Sequence, residues 1–122
     1  MNERHTLGKR AEDAVSRHLE HLGFRICARN YRCSTGELDI IAECDELVVF
    51  VEVRSQSSDF YSDPAITVTQ PKQRRIVSAA QHWLLKNPRP NSFLRFDIAG
   101  VRVVHGELCI EVYDDAFSVP WE

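Results

Sequence analysis

Residues 47–54 read Leu-Val-Val-Phe-Val-Glu-Val-Arg, and this run limits the fold more than any other in the chain. Side chains along a strand alternate between faces with period two. The odd positions Leu47, Val49, Val51 and Val53 are all apolar, while the even positions run Val48, Phe50, Glu52, Arg54. A strand with one face in solvent would be polar along the whole of that face. Here both faces begin apolar, so the strand is central and covered on both sides, and only its C-terminal end carries charge. Strands buried on both faces belong to sheets enclosed by helices. In open α/β sheets, ligands bind beyond the carboxyl ends of such strands.

The rest of the chain supplies the enclosing elements. Leu7, Ala11, Ala14, Val15, His18, Leu19 and Leu22 recur at helical spacing, which predicts an amphipathic helix over ~4–22 ended by Gly23. The segments FRICARNY, GELDIIAE and LVVFVEVR read as strands, the last two joined across Cys44-Asp45-Glu46. A polar loop covers 55–66, with Phe60 and Tyr61 near its middle. Thr69 then caps a second helix, with Pro71 in its first turn and Ile76, Val77, Ala80, Trp83 and Leu84 along one stripe. SFLRFDIAGVRVV and ELCIEVY form a last hairpin around His105-Gly106, a two-residue turn. The predicted class is α/β: one domain over residues 1–122, a mixed β-sheet flanked by helices in the order αβββαββ, with a loosely docked tail at 114–122.

Composition narrows the function. No run is apolar enough to span a bilayer, and the N-terminal MNERHTLGKRAED is too charged for a signal peptide, so a cytoplasmic protein is expected. Cys27, Cys33, Cys44 and Cys109 lack CxxC spacing and are expected as reduced thiols filling gaps in the core. A net charge of −3 weighs against nucleic-acid binding unless the basic residues cluster. They do so in part, at Lys9 and Arg10, at Arg25, Arg29 and Arg32, and at Lys72, Arg74 and Arg75.

Carboxylates inside apolar strands are costly unless compensated. Asp39 and Glu52 share a face only if paired residue numbers across the hairpin sum to an odd value. A two-residue loop puts them directly opposite, roughly 5 Å apart; a four-residue loop makes them diagonal at roughly 7–8 Å, with Glu37 opposite Glu52. A three-residue loop without a bulge sends them to opposite faces. On the favourable registers two anions meet in a half-buried cleft, so either one keeps its proton or a cation lies between them, and hard oxygen ligands suit Mg²⁺ or Mn²⁺. The alternative is simple ion pairing, Glu52 with Arg54 or a neighbouring arginine and Asp39 with Arg95.

The segments GKRAEDAV, GELDIIAE, LVVFVEVR, TVTQPKQRRI and LRFDIAGV, in this order over residues ~5–104, closely resemble the YraN-like family. These small bacterial proteins are related to Holliday-junction resolvases and other PD-(D/E)XK nucleases. The resemblance implies a restriction-endonuclease-like fold and a metal-dependent DNA endonuclease, acting on branched or structured DNA, with a homodimer as the assembly suited to two-fold symmetric junctions. Carried over by position, Asp39 is the motif aspartate, Glu52 the acidic member of (D/E)xK and Glu12 the glutamate of the first helix; the Val53 carbonyl completes the ligands for Mg²⁺ or Mn²⁺.

The chain departs from the motif at Arg54, which stands where the lysine is expected. Arginine stays protonated and stabilises charge but does not act as a base. Lys72, projecting toward the sheet from the first turn of the second helix, offers a partial substitute in the catalytic set with Asp39, Glu52, Arg54 and Glu12. Arg25, Arg29, Arg32, Lys72, Arg74 and Arg75 are the candidates for phosphate contacts, which give affinity without sequence preference. Two further readings stand beside the nuclease: a DNA-binding module that retains the fold without efficient chemistry, motivated by Arg54 and the acidic balance, and an interaction scaffold whose carboxylates are only ion-paired.

Overall fold

The computed structural model describes residues 3–56 and 68–117. The loop expected at 55–66, with Phe60 and Tyr61, falls almost wholly outside these residues. Helix α1 (Glu3–His21) precedes β1 (Arg25–Cys33), β2 (Gly36–Cys44) and β3 (Leu47–Gln56); α2 (Gln70–Lys86) is followed by β4 (Phe93–Val104) and β5 (Glu107–Tyr113). The strands form one five-stranded sheet in sequential order β1-β2-β3-β4-β5. Only β3 and β4 run parallel; the other neighbours are antiparallel. The parallel pair follows from α2, since a crossover helix between consecutive strands returns the chain in the same direction. The α/β class and the αβββαββ order anticipated from the sequence are therefore present.

Strand β3 is the centre of both layers of the core. Val48 and Phe50 pack with Leu38, Ile41, Phe96, Ile98 and the α2 residues Ile76, Val77, Ala80 and Trp83. Val49 and Val51 pack with Ile40, Ala42, Ala99, Val101 and the α1 residues Ala11, Val15 and Leu19. Each fully buried Val, Ile, Leu or Phe stabilises by roughly 1.5–3 kcal/mol relative to exposure. Phe50 stacks on Phe96 at 5.1 Å between ring centres and meets Trp83 edge-on at 6.2 Å, which fixes α2 over β3 and β4. Thr69 caps α2 as the sequence indicates, its side chain accepting from the Lys72 N–H at 3.3 Å.

Two expectations need correction. The tail is not loosely docked where it is described: Ala116 N–H donates to the Phe96 carbonyl at 2.7 Å and the Phe117 ring lies 5.2 Å from that of Phe96. The cause is a charge anchor that hydropathy does not reveal. Buried Asp97 is gripped by Arg95 at 2.9 Å through two guanidinium nitrogens, Nε and Nη2, and accepts from Asp115 N–H at 3.0 Å. The four cysteines are free, but they do not all fill the core: Cys109 is exposed, because its edge strand β5 turns alternate residues outward.

Candidate active site

The β2–β3 turn decides the register. Cys44 pairs with Leu47 and Ile40 with Val51, so paired numbers sum to 91 and the loop is the two-residue Asp45-Glu46, with Asp45 at φ 53°. The ladder stops at Ile40↔Val51. The next position along each strand is Asp39 and Glu52. At this point β2 also switches faces. Leu38 packs on the α2 side and Ile40 on the α1 side, although two residues apart they would share a face in a regular strand. Opposite the switch, Asn30 of β1 adopts φ 51°, a left-handed conformation that asparagine tolerates better than most residues. The two strands thus fork. Val53 N–H, freed from the ladder, donates instead to Asp39 Oδ2 at 2.7 Å.

Glu52 lies on the α2 face and is 3% exposed. Its pKa is pushed up to about 8, first by burial and then by the adjacent Asp39 carboxyl, against the opposing pull of Lys72 and Arg54. Glu52 Oε1 is buried and has no hydrogen-bond partner. Asp39 is close enough to share a proton with it, but two ionised carboxylates have no donor between them, so the orphaned oxygen marks a place for a proton or a cation. Glu12 approaches from α1. Its pKa is raised by burial and by the charge of Asp39, which places it within the field of the same site. Among the described residues no three carboxylate, thiol or imidazole side chains converge tightly enough to form a ready-made cage.

Lys72 is aimed at the sheet as its helical position predicts. Its Nζ lies 3.0 Å from Glu37 Oε1 and 3.5 Å from Glu52 Oε2. Burial opposes its charge, but its hydrogen bond to Glu37 and the charges of Glu52, Glu37 and Asp39 win, and its pKa rises. Arg54 Nη1 stands 3.9 Å from Glu52 Oε2. Asp39 is not paired with Arg95, which is committed to Asp97.

Glu37 is the residue whose role the sequence left open. It accepts from Arg75 (2.7 Å) and Lys72 (3.0 Å) at once, which lowers its pKa to about 2. That hub exists because α2 lies directly on the start of β2. A Cβ added at Gly36 would come within 1.9 Å of the Arg75 carbonyl oxygen. The only signal for this in the sequence was the glycine itself, between Thr35 and Glu37.

The expected phosphate-contacting residues do not form one patch. Arg29 pairs with Asp13 at 2.8 Å and reaches Glu12 at 3.8 Å, beside the fork. Arg32 is exposed one register step beyond Leu38, opposite Glu37. Arg75 is held by Glu37, and Arg74 is exposed on α2. Arg25 is displaced from the rest: it faces Glu43 and shares that carboxylate with Arg89, at the hairpin end of the sheet. Four residues of strand separate Glu43 from Asp39, roughly 13 Å. Charge spacing in the sequence carries no information about which end of a strand meets which helix, and so grouped Arg25 with Arg29 and Arg32.

The description that matches the chain is Uncharacterised protein family UPF0102, over residues 11–101. The UPF0102 protein of Myxococcus xanthus is 43% identical over 99 residues, which cover 81% of this chain and 79% of that one. The UPF0102 protein of Chloroherpeton thalassium is 35% identical over 125 residues, covering 96% of this chain and 97% of that one. Among solved structures the chain is similar to Pyrococcus furiosus SfsA in complex with Ca²⁺, with 18% identity and a TM-score of 0.38; the match covers 88% of this chain and 62%, under two thirds, of that one. Sequence and family match agree along most of the length: the chain belongs to the UPF0102 family, the YraN-like proteins.

Proposed function

We propose that this protein is a Mg²⁺- or Mn²⁺-dependent endonuclease that hydrolyses phosphodiester bonds in branched or structured DNA. The observation that carries the proposal is the pair Asp39 and Glu52 at the fork of β2 and β3, with a buried Glu52 oxygen that has no hydrogen-bond donor. Asp39, Glu52 and the Val53 carbonyl are the residues to hold the metal, with Glu12 supplying a further carboxylate from α1. The oxygen-only donor set suits a hard cation. Bound there, such a cation supplies a water of lowered pKa and polarises a phosphate.

The chain's own residues have distinct tasks. Val53 N–H fixes the Asp39 carboxylate. Lys72, 3.5 Å from Glu52, is positioned to stabilise negative charge developing on a phosphoryl group. Arg54 adds a permanent positive charge and takes no part in proton transfer. Glu37 holds Lys72 in place. A homodimer in the cytoplasm, acting on two-fold symmetric junctions, belongs to the same proposal.

A second reading, a DNA-binding module without efficient chemistry, is favoured by Arg54 in place of lysine. Incubation with branched and linear duplexes in Mn²⁺, alongside Glu52→Ala, separates the two. Cleavage of the branched duplex that falls by two or more orders of magnitude in the variant is the expected result. Binding without any cleavage favours the second reading, and equal cleavage by both proteins rejects the assignment of Glu52.

A further inference from the structure

One hollow of the described structure lies away from α2, where Lys72 stands. It is a cleft of about 650 Å³ between α1 and β1, lined by Gly8, Lys9, Glu12, Arg29, Asn30 and Arg32. Two of these residues tie it to the carboxylate pair. Glu12 lies in the field of Asp39 and is hydrogen-bonded by Asn30. Asn30 sits between Arg29↔Ile40 and Tyr31↔Leu38 in the β1–β2 register, and so lies across from Asp39. The cleft therefore borders the fork on its β1 side.

Its chemistry is that of a polyanion track. Lys9, Arg29 and Arg32 bring positive charge from two elements, and Arg29 and Arg32 are three strand residues apart, roughly 10 Å. Charge spread over that distance suits a row of phosphates better than one compact anion. Among the described residues no aromatic side chain lines the cleft, so these residues offer bases no stacking platform and the ligand's backbone is what they can recognise. Two of these cations, Lys9 and Arg29, are at present paired from within. Asp13 Oδ2 lies 3.7 Å from Lys9 Nζ and Asp13 Oδ1 lies 2.8 Å from Arg29 Nη2.

We propose that this cleft binds the phosphate backbone of the DNA strand adjoining the fork, and that Asp13 acts as an internal competitor for the same cations. The inference rests on the reading of DNA as the substrate, but it needs no chemistry at Glu52. It assigns Lys9, Asn30 and Asp13 to DNA binding and gives Arg29 and Arg32 a defined place.

Fluorescence anisotropy with a labelled duplex in EDTA, repeated over a range of salt concentrations, tests it without metal or turnover. Lys9 and Arg32 are exposed, so their truncation leaves the core intact; melting curves verify this. Lys9→Ala and Arg32→Ala are each expected to weaken binding several-fold at low salt and to flatten the log–log salt slope by about 0.9. Asp13→Asn is expected to do the opposite, tightening binding and steepening the slope, an outcome that loss of structure does not produce. Unchanged slopes in both cation variants, weaker binding by Asp13→Asn, or no measurable DNA binding overturns the inference. These results are separable from the fate of the nuclease proposal: the slopes can shift as expected in a protein that never cleaves, and Glu52-dependent cleavage can occur with slopes that do not move.

Discussion

Glu52 is where the energetics of single residues are clearest. A buried carboxylate facing another carboxylate is unstable as a charge, and the folded protein answers by keeping the proton to about pH 8. The unfolded chain gives that proton up near the ordinary value of 4.5. The folded state therefore binds more protons across this window, and its stability falls as pH rises. The contribution is fully present below 4.5 and is lost once the pH has passed through about 8, on the order of a few kcal/mol. Thermal melts of the metal-free protein are expected to decline from pH 5 to pH 8. In Glu52→Gln most of that slope should vanish, leaving the smaller part from Glu12, whose pKa is raised in the same direction. Mn²⁺ should compete with the proton, so its stabilising effect should be saturable and stronger at pH 8 than at pH 6. A melting temperature indifferent to both pH and Mn²⁺ would contradict this account of Glu52.

The fork of β2 and β3 and the seating of α2 operate at the scale of elements. The hold of Val53 N–H on Asp39 depends on the fork, because that N–H meets the Asp39 carboxylate only where the β2–β3 ladder has ended. On the other side, Lys72 reaches Glu52 only because α2 rests on β2 without a side chain between them. Gly36→Ala forces a Cβ against the backbone of Arg75 at a distance no real contact tolerates, so helix or strand must move. Overpacking of this kind costs about 1–3 kcal/mol. The expected result is a melting temperature lower by roughly 5–10 °C. Because Lys72 would retreat from Glu52, the pH window in which the Glu52 slope is read should also extend upward. A variant that melts like the parent with an unaltered pH profile would show that the close approach is not what places Lys72.

Taken as a whole molecule, the fold is a sequential sheet with a charge anchor at each end. Glu43, shared by Arg25 and Arg89, ties the hairpin end. Asp97, 1% exposed, binds Arg95 and the start of the tail, so that Phe117 closes over Phe96. Breaking a buried ion pair leaves its partner uncompensated and costs about 3 kcal/mol or more. Asp97→Ala is expected to lower the melting temperature by roughly 10 °C and to increase proteolytic cleavage after Tyr113. Neither the metal response at Glu52 nor the salt slope of DNA binding should change, since the Asp97 anchor contacts neither Asp39 nor Glu52. A variant as stable as the parent would mean that the tail is held by apolar contact alone.

Much of this could be read from residue order. Period-two alternation from Leu47 to Arg54 identified the central strand and the charged end, because covering a strand on both faces leaves a pattern that solvent exposure does not. Thr69 and Pro71 marked the start of α2, and the helical stripe oriented Lys72 toward the sheet, since local backbone geometry alone sets those directions. The spacing of Asp39 and Glu52 narrowed their relation to a few registers. Tertiary structure chose among them through a two-residue turn, and it alone produced the fork, the orphaned oxygen of Glu52 and the clamp of Lys72 and Arg75 on Glu37. It also separated Arg25 from Arg29, joined Lys9 to Asn30 in one cleft and tied the tail to Asp97. Each of these depends on contacts between residues far apart in the chain, whose energies are set by distance and burial, quantities that a linear order of side chains does not contain.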